Sequence, residues 1–180
     1  MRVSAKVDYA VRAVLELASQ HASDGETRPI KGEAIASAQH IPMKFCENIL
    51  AELRGAGIVA SRRGSDGGYW LAVDPSTVTI ADLVRILEGP LAAVRGVRPS
   101  EADFQGSAAP LRELWVATRA SLRRVLDTVT IADLVAGGLP PEVARLLDDE
   151  GAWQAREVGI SWRSGFPTNP VDIEREDRQR

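Results

Sequence analysis

The chain holds one cysteine, Cys46, and two histidines, His21 and His40. An intramolecular disulfide framework is excluded, and no spacing among these residues resembles a zinc or iron–sulfur site. The expectation is a protein without a metal or other cofactor. Aromatic residues make up 5% of the chain. No apolar run approaches the ~20 residues that a membrane-spanning helix needs. The start, MRVSAKVDYA, also lacks the uninterrupted apolar stretch of a secretory signal. A soluble, cytoplasmic protein with no membrane partner is expected. Positive charge is scarce too, since 22 Lys and Arg against 25 Asp and Glu leave a net charge of −3. DNA-binding domains commonly carry a basic stripe, so indiscriminate nucleic-acid binding is disfavoured and any DNA contact must rest on a local patch. What is present is an ordinary apolar share, 44% over 180 residues. That is enough for one compact core with an appended arm.

Between Ser4 and Ser19 the apolar residues Val7, Val11, Val14, Leu15 and Ala18 recur at helical spacing, with Ser4 as a candidate N-cap. QHASDGETRP then reads as a polar loop, and Glu33 to Gln39 as a short helix carrying Ile35 inward. HIP marks a tight turn. Pro42 suits a first helical turn, and Cys46, Ile49, Leu50 and Leu53 follow at i, i+3, i+4 and i+7. Cys46 therefore reads as a small core residue. The opposite face carries Lys44, Glu47, Asn48 and Ala51, with Phe45 on the boundary, and nothing on it needs burial.

Gly57 is placed to stop this helix as a C′ residue, after which IVASR and GYWLA read as two strands joined by RGSDG. Asp66-Gly67 is the turn signal, because a positive φ at a hairpin tip favours Gly, Asn or Asp. Tyr69 and Leu71 fall on one face and Trp70 on the other. A phosphate-binding loop would need a strand leading in, a helix following and a Lys-Ser or Lys-Thr pair, and SRRGSDGGYWL has none of these. Three helices and a two-stranded hairpin make a winged helix-turn-helix: a mainly α fold with a small β-hairpin wing.

TVTIADLV occurs twice, at Thr77 to Val84 and at Thr128 to Val135. In each copy a Thr precedes an Asp by three residues, a capping box with Asp in place of Glu or Gln, so one helix-start solution is used twice. Residues 89 to 110 are rich in Gly, Pro and small residues and read as a long loop. Beyond Pro110, Leu111, Leu114, Trp115, Thr118, Leu122, Val125 and Leu126 mark a long amphipathic helix, suited to a dimer interface or to folding back on its own domain. From Gly151 onward mixed charge, Gly and Pro indicate a disordered tail. Its Trp153, Trp162 and Phe166 are candidates for a partner-binding segment.

A helix fits the major groove and presents donors and acceptors to base edges, while a wing brings cations to phosphates or the minor groove. On the third helix Asn48 can pair with adenine, Glu47 can accept from a cytosine amino group, and Lys44 can reach guanine or phosphate. Arg62 and Arg63 belong to the wing.

These segments together, RVSAKVDYAVRAVLELA, IPMKFCENILAELRGAGIVASRRGSDGGYWLA and VTIADLVRILEGPL, resemble the Rrf-type family of winged-helix transcriptional regulators, of the IscR, NsrR and CymR kind. The likeness covers residues 1 to about 90 well and weakens through the long helix. It implies a homodimer held by that helix, acting on a partly palindromic operator in double-stranded DNA, usually as a repressor. Carried over, the recognition-helix contacts fall on Lys44, Phe45, Glu47 and Asn48, and the wing contacts on Arg63, Gly64 and Ser65. Cluster-binding members of the family place three cysteines in the loop before the dimer helix, and residues 89 to 110 contain none. An iron–sulfur cluster is therefore not expected. Control by a small ligand or a protein partner is expected instead, with Arg95, Arg98, Phe104 and Trp115 as candidate effector-binding residues in an anion-binding or aromatic pocket between subunits. The competing reading makes Trp115 interface core and the arginines merely solvated.

The expected layout is a DNA-binding domain over residues 1–88, a loop and sensor region over 89–109, a dimerisation helix with a following helical segment over 110–150, and the tail over 151–180. The rival function is a winged-helix module that binds protein rather than DNA. An enzyme is the third reading, and no acid–base pair, nucleophile–base pair or metal constellation stands out for it.

Overall fold

The computed structural model describes residues 3–20 and 28–154. His21, Trp162 and Phe166 lie outside the described residues, as does most of the span read as a tail. The described residues divide between Ala144 and Arg145 into two units.

The first unit is built around helix α1 (Ala5–Ser19). The Ser4 hydroxyl accepts a hydrogen bond from the Val7 amide, satisfying one of the donors a helix start leaves open. α1 packs against α2 (Gly32–Ala38), α3 (Met43–Gly55), α4 (Ile80–Glu88), α6 (Ile131–Val135) and strand β2 (Gly68–Leu71). A helix enclosed on so many sides needs more than one narrow stripe, and this corrects the sequence pattern. Val11 and Leu15 are half-buried, whereas Ala10, Ala13 and Leu17 join Val7, Val14 and Ala18 in the core. The two central alanines let neighbouring helices approach closely, which a pattern search for large apolar residues overlooks.

The short second helix buries Ile35 and Ala36. His40 then turns the chain with φ of 52°, and Pro42 serves as the N-cap of α3 rather than its first residue. Cys46, Ile49, Leu50 and Leu53 are buried as expected. Gly57, at φ 79°, follows the helix, and the Ile58 amide reaches back 3.0 Å to the Leu53 carbonyl, closing a Schellman-type end. Strand β1 (Val59–Arg62) pairs antiparallel with β2, Val59 opposite Leu71 and Arg62 opposite Gly68.

The hairpin tip differs from the expected Asp66-Gly67 turn. The turn runs from Gly64 to Gly67, closed by the Gly67 amide donating to the Gly64 carbonyl at 3.1 Å, and the positive φ of 110° belongs to Gly64. Gly67 is required for space, since a Cβ there would overlap the Arg62 carbonyl oxygen and the Arg63 backbone. A third backbone segment also joins the hairpin: Ile30 and Tyr69 exchange two hydrogen bonds of 2.8 Å.

The two TVTIADLV copies pair with each other. Thr79 and Thr130 form an antiparallel bridge in which the Ile80 amide donates to Val129 and the Ile131 amide to Val78, both at 3.0 Å. Both capping boxes form, Thr79 with Asp82 and Thr130 with Asp133. Hydrogen bonds from the Thr130 hydroxyl and amide hold the Asp133 carboxyl below its usual range. The repeat thus closes α6 onto the winged-helix core, where Ile131 is fully buried.

Helix α5 (Leu111–Leu126) is 16 residues long, about 24 Å, and has no buried residue. The chain continues through α6 and α7 (Pro141–Ala144). In the second unit a 3₁₀ turn at Arg145–Asp148 precedes α8 (Glu150–Trp153). Of the span read as a tail, only residues 151–154 are described: Asp149 caps the Gly151 amide at 2.8 Å, and the exposed Trp153 indole donates to the Leu147 carbonyl at 2.9 Å.

Candidate nucleic-acid interface

Burying one stripe of α3 leaves Lys44, Phe45, Glu47 and Asn48 exposed on the other. Among the described residues no hydrogen bond or ion pair restrains the side chains of Lys44, Glu47 or Asn48. Phe45 is 51% exposed and rests edge-on against Tyr9 of α1, with ring centres 6.1 Å apart. Arg12 lies over the other ring at 5.9 Å and pairs with Asp8 at 2.7 Å. Phe45 therefore projects from a braced position.

Cys46 is fully buried behind this face. Burial, and secondarily the Glu47 charge, push its thiol up, so it is a packing residue with little thiolate character.

The wing gathers cations. Arg62 donates from Nε to the Asp66 carbonyl at 3.1 Å, Lys31 from Nζ to the Gly64 carbonyl at 2.9 Å, and Arg54 from Nη1 to Ser61 Oγ at 3.2 Å. Arg63 is exposed and has no hydrogen bond or ion pair among the described residues, and Gly64 and Ser65 beside it are exposed. These residues form a local basic patch on a chain of net charge −3. No spacing in the sequence singles out Lys31 or Arg54. Between α2, α3 and β2 runs a groove of 360 Å³ lined by Lys31, Glu33, Met43, Glu47, Leu50 and Tyr69.

The candidate effector residues are only partly brought together. The Arg95 guanidinium lies 5.3 Å from the Phe104 ring centre and donates to the Asp103 carbonyl at 2.9 Å. Arg98 pairs with Glu101 at 3.4 Å. Trp115 instead lines a separate hollow of 380 Å³ with Ala92, Ala93, Val94, Thr118 and Leu122.

A charged joint ties α4 to the end of α5. Arg85 donates to Asp127 at 2.6 Å and to Asp82 at 3.2 Å, while Arg123 donates to Asp127 at 2.8 Å. Burial pushes the Asp127 carboxyl up, but the hydrogen bonds and charge of Arg123 and Arg85 prevail and hold it below its ordinary value.

Comparison with known proteins places this geometry among transcriptional regulators. The family model Rrf2, described as an iron-dependent transcriptional regulator, matches residues 3–137. Rv1287 of Mycobacterium tuberculosis H37Rv, a predicted HTH-type transcriptional regulator, is 42% identical over 161 residues, spanning 89% of this chain and 98% of the relative. The structure of CymR, the global cysteine regulator of B. subtilis, superposes with a TM-score of 0.64 at 31% identity, covering 76% of this chain and 98% of that one. T. potens IscR gives 0.58 at 33% identity, covering 87% and 94%.

The residues present do not fit a cysteine-held iron–sulfur cluster. Such a cluster draws most of its ligands from cysteine thiolates, and the chain's one cysteine is fully buried in α3 with its thiol pushed up. Among the described residues no group of three or more His, Cys, Asp and Glu is arranged to hold a metal ion.

Proposed function

The chain belongs to the Rrf2 family of DNA-binding transcriptional regulators, and from that premise we propose that it works in the cytoplasm as a homodimeric repressor on a partly palindromic operator. The observation that carries the reading is the pairing of an unrestrained polar face on α3 with a wing that carries four cations, Lys31, Arg62 and Arg63 at its tip and Arg54 against Ser61 of β1. α3, 13 residues and about 20 Å long, enters the major groove. Lys44, Phe45, Glu47 and Asn48 then meet base edges and phosphates. Arg63, Gly64 and Ser65 meet the backbone or minor groove, with Arg62 adding charge beside them.

Residues 1–88 serve as the reading head and residues 110–150 as the dimerisation segment. α5 supports this division, because Leu111, Leu114 and Val116 remain exposed along a helix with no buried residue. Two copies joined there present two α3 helices to successive half-sites, which is why a palindromic operator suits the arrangement. The proposal includes no iron–sulfur cluster. Residues 89–109 serve as the sensor region, responding to a small ligand or a protein partner through Arg95 and Phe104, Arg98, and the Trp115 hollow.

Footprinting on the chain's own upstream region, followed by binding titrations across a salt series, tests this. Arg63→Ala should weaken binding to all sequences and flatten the salt slope by about one unit. Asn48→Ala should relax base preference at one position by about 1–3 kcal/mol. An absence of protection at low salt would instead favour the protein-binding module.

A further inference from the structure

We propose that Lys31 is a positioning residue for the wing: it straps the hairpin tip to the start of α2 and so fixes the pose in which Arg63 meets DNA. The proposal rests on the reading above that Arg63 is a DNA contact.

Ile30 exchanges two hydrogen bonds with Tyr69, so the segment leading into α2 lies alongside β2 as a third strand-like edge. Its approach is so close that a Cβ on Gly68 would overlap the Ile30 backbone. Lys31 follows directly, at the N-cap of α2, with extended backbone of φ −64° and ψ 139°. From there its side chain reaches the Gly64 carbonyl at 2.9 Å, across 33 residues of sequence.

That carbonyl is the one that closes the tip. Gly64 O accepts from the Gly67 amide at 3.1 Å and from Lys31 Nζ. Opposite it, Arg62 Nε engages the Asp66 carbonyl at 3.1 Å. Two cations are thus occupied with the carbonyls of one five-residue loop, and a third, Arg63, carries no restraint among the described residues. The cations divide the work: Lys31 and Arg62 hold the loop's shape, and Arg63 is what the shaped loop presents. A loop fixed before binding loses less conformational freedom on contact, so the strap raises affinity without touching DNA.

The test is a double-mutant cycle on the full chain with Lys31→Met, Arg63→Ala and the double variant, plus Lys31→Arg as the conservative control. Amide hydrogen exchange in the DNA-free protein supplies a second readout. Losing one hydrogen bond should speed exchange of the Gly67 amide about fivefold, and the thermal midpoint should hold because Lys31 is exposed. Operator affinity should fall about fivefold for Lys31→Met with Arg63 present and less than twofold in the Arg63→Ala background. Lys31→Arg should retain affinity. Unchanged Gly67 exchange, or costs that simply add while Lys31→Met lowers the salt slope in the Arg63→Ala background, would overturn the strap and make Lys31 a phosphate contact. A silent Arg63→Ala would overturn the contact reading and the presentation with it, whereas a weakened Arg63→Ala beside unchanged Gly67 exchange would overturn the strap alone.

Discussion

Replacing Asp127 by Asn removes the carboxylate that joins α4 to the end of α5 while keeping the side chain's size. Two charge-assisted hydrogen bonds are lost, from Arg85 at 2.6 Å and Arg123 at 2.8 Å. The side chain of Asp127 is 27% exposed and that of Arg85 36%, so the joint is neither fully screened nor fully desolvated. Exposed pairs contribute about 0.2–1 kcal/mol each, and Arg85 keeps Asp82 as a second partner, which places the net cost near 1 kcal/mol. With a urea dependence of about 2 kcal/mol per molar, the unfolding midpoint should drop by about 0.5 M at neutral pH and fixed protomer concentration. The pH dependence supplies the sharper check. Asp127 in the folded chain titrates below its ordinary 3.8. Its contribution is therefore present in full above the unfolded value and disappears as the pH falls through the folded one. The gap between wild type and Asp127→Asn should stay level from pH 8 to 5 and narrow below about pH 4. A gap equally wide at pH 7 and pH 3 would show that the cost arises from packing or helix geometry, and the ionic account of this joint would fall.

Two further outcomes follow from the backbone and from α5. Gly67→Ala cannot be accommodated without moving the Arg62 and Arg63 backbone, so operator binding should fall at least tenfold with a stability loss of about 1–3 kcal/mol; wild-type binding in an electrophoretic titration would show that the tip's shape is irrelevant to DNA. Leu114→Glu introduces a charge on an already 52% exposed site, so a lone protomer should fold as before while a dimer through α5 comes apart. Light scattering coupled to size exclusion decides this, and an unchanged dimer mass would place the interface elsewhere.

The sequence pattern was most legible where a single element determines its own geometry. The stripe Cys46, Ile49, Leu50 and Leu53, the Ser4 cap, the two Thr-Asp capping boxes and the Gly57 stop each depend on neighbours within one helical turn. Readings failed where a residue's role is set by distant chain. Asp66-Gly67 reads as a turn, but the backbone crowding that requires Gly67 exists only once the hairpin has closed. The two TVTIADLV copies are visible as a repeat, yet the pairing of Thr79 with Thr130 depends on the intervening chain returning α6 to α1 and to the Pro75–Thr77 turn. Lys31 carries no local signature at all. Its function comes from the Ile30–Tyr69 bridge, which joins segments 39 residues apart.

The distribution of acids explains how a chain of net charge −3 sustains a cationic wing. Asp8 pairs with Arg12, Glu52 with Lys6, Glu101 with Arg98, and Asp82 and Asp127 with Arg85 and Arg123. These acids are matched to cations outside the wing, while Asp66 engages Arg62 through its backbone carbonyl. The field at the wing is therefore set by its own residues, Asp66 among them, and by Glu33 and Glu47, which line the groove beside Lys31; charges more than a Debye length away, about 8 Å at physiological salt, are largely screened. On α3 the opposite holds: Glu47 sits beside Lys44 on the exposed face and lowers the net attraction to phosphate. An acid there costs non-specific affinity and gains a hydrogen-bond acceptor for a base edge. In the proposed complex, attraction to the duplex thus resides mainly in the wing and discrimination mainly in the helix, so substitutions in the two should separate in a salt series.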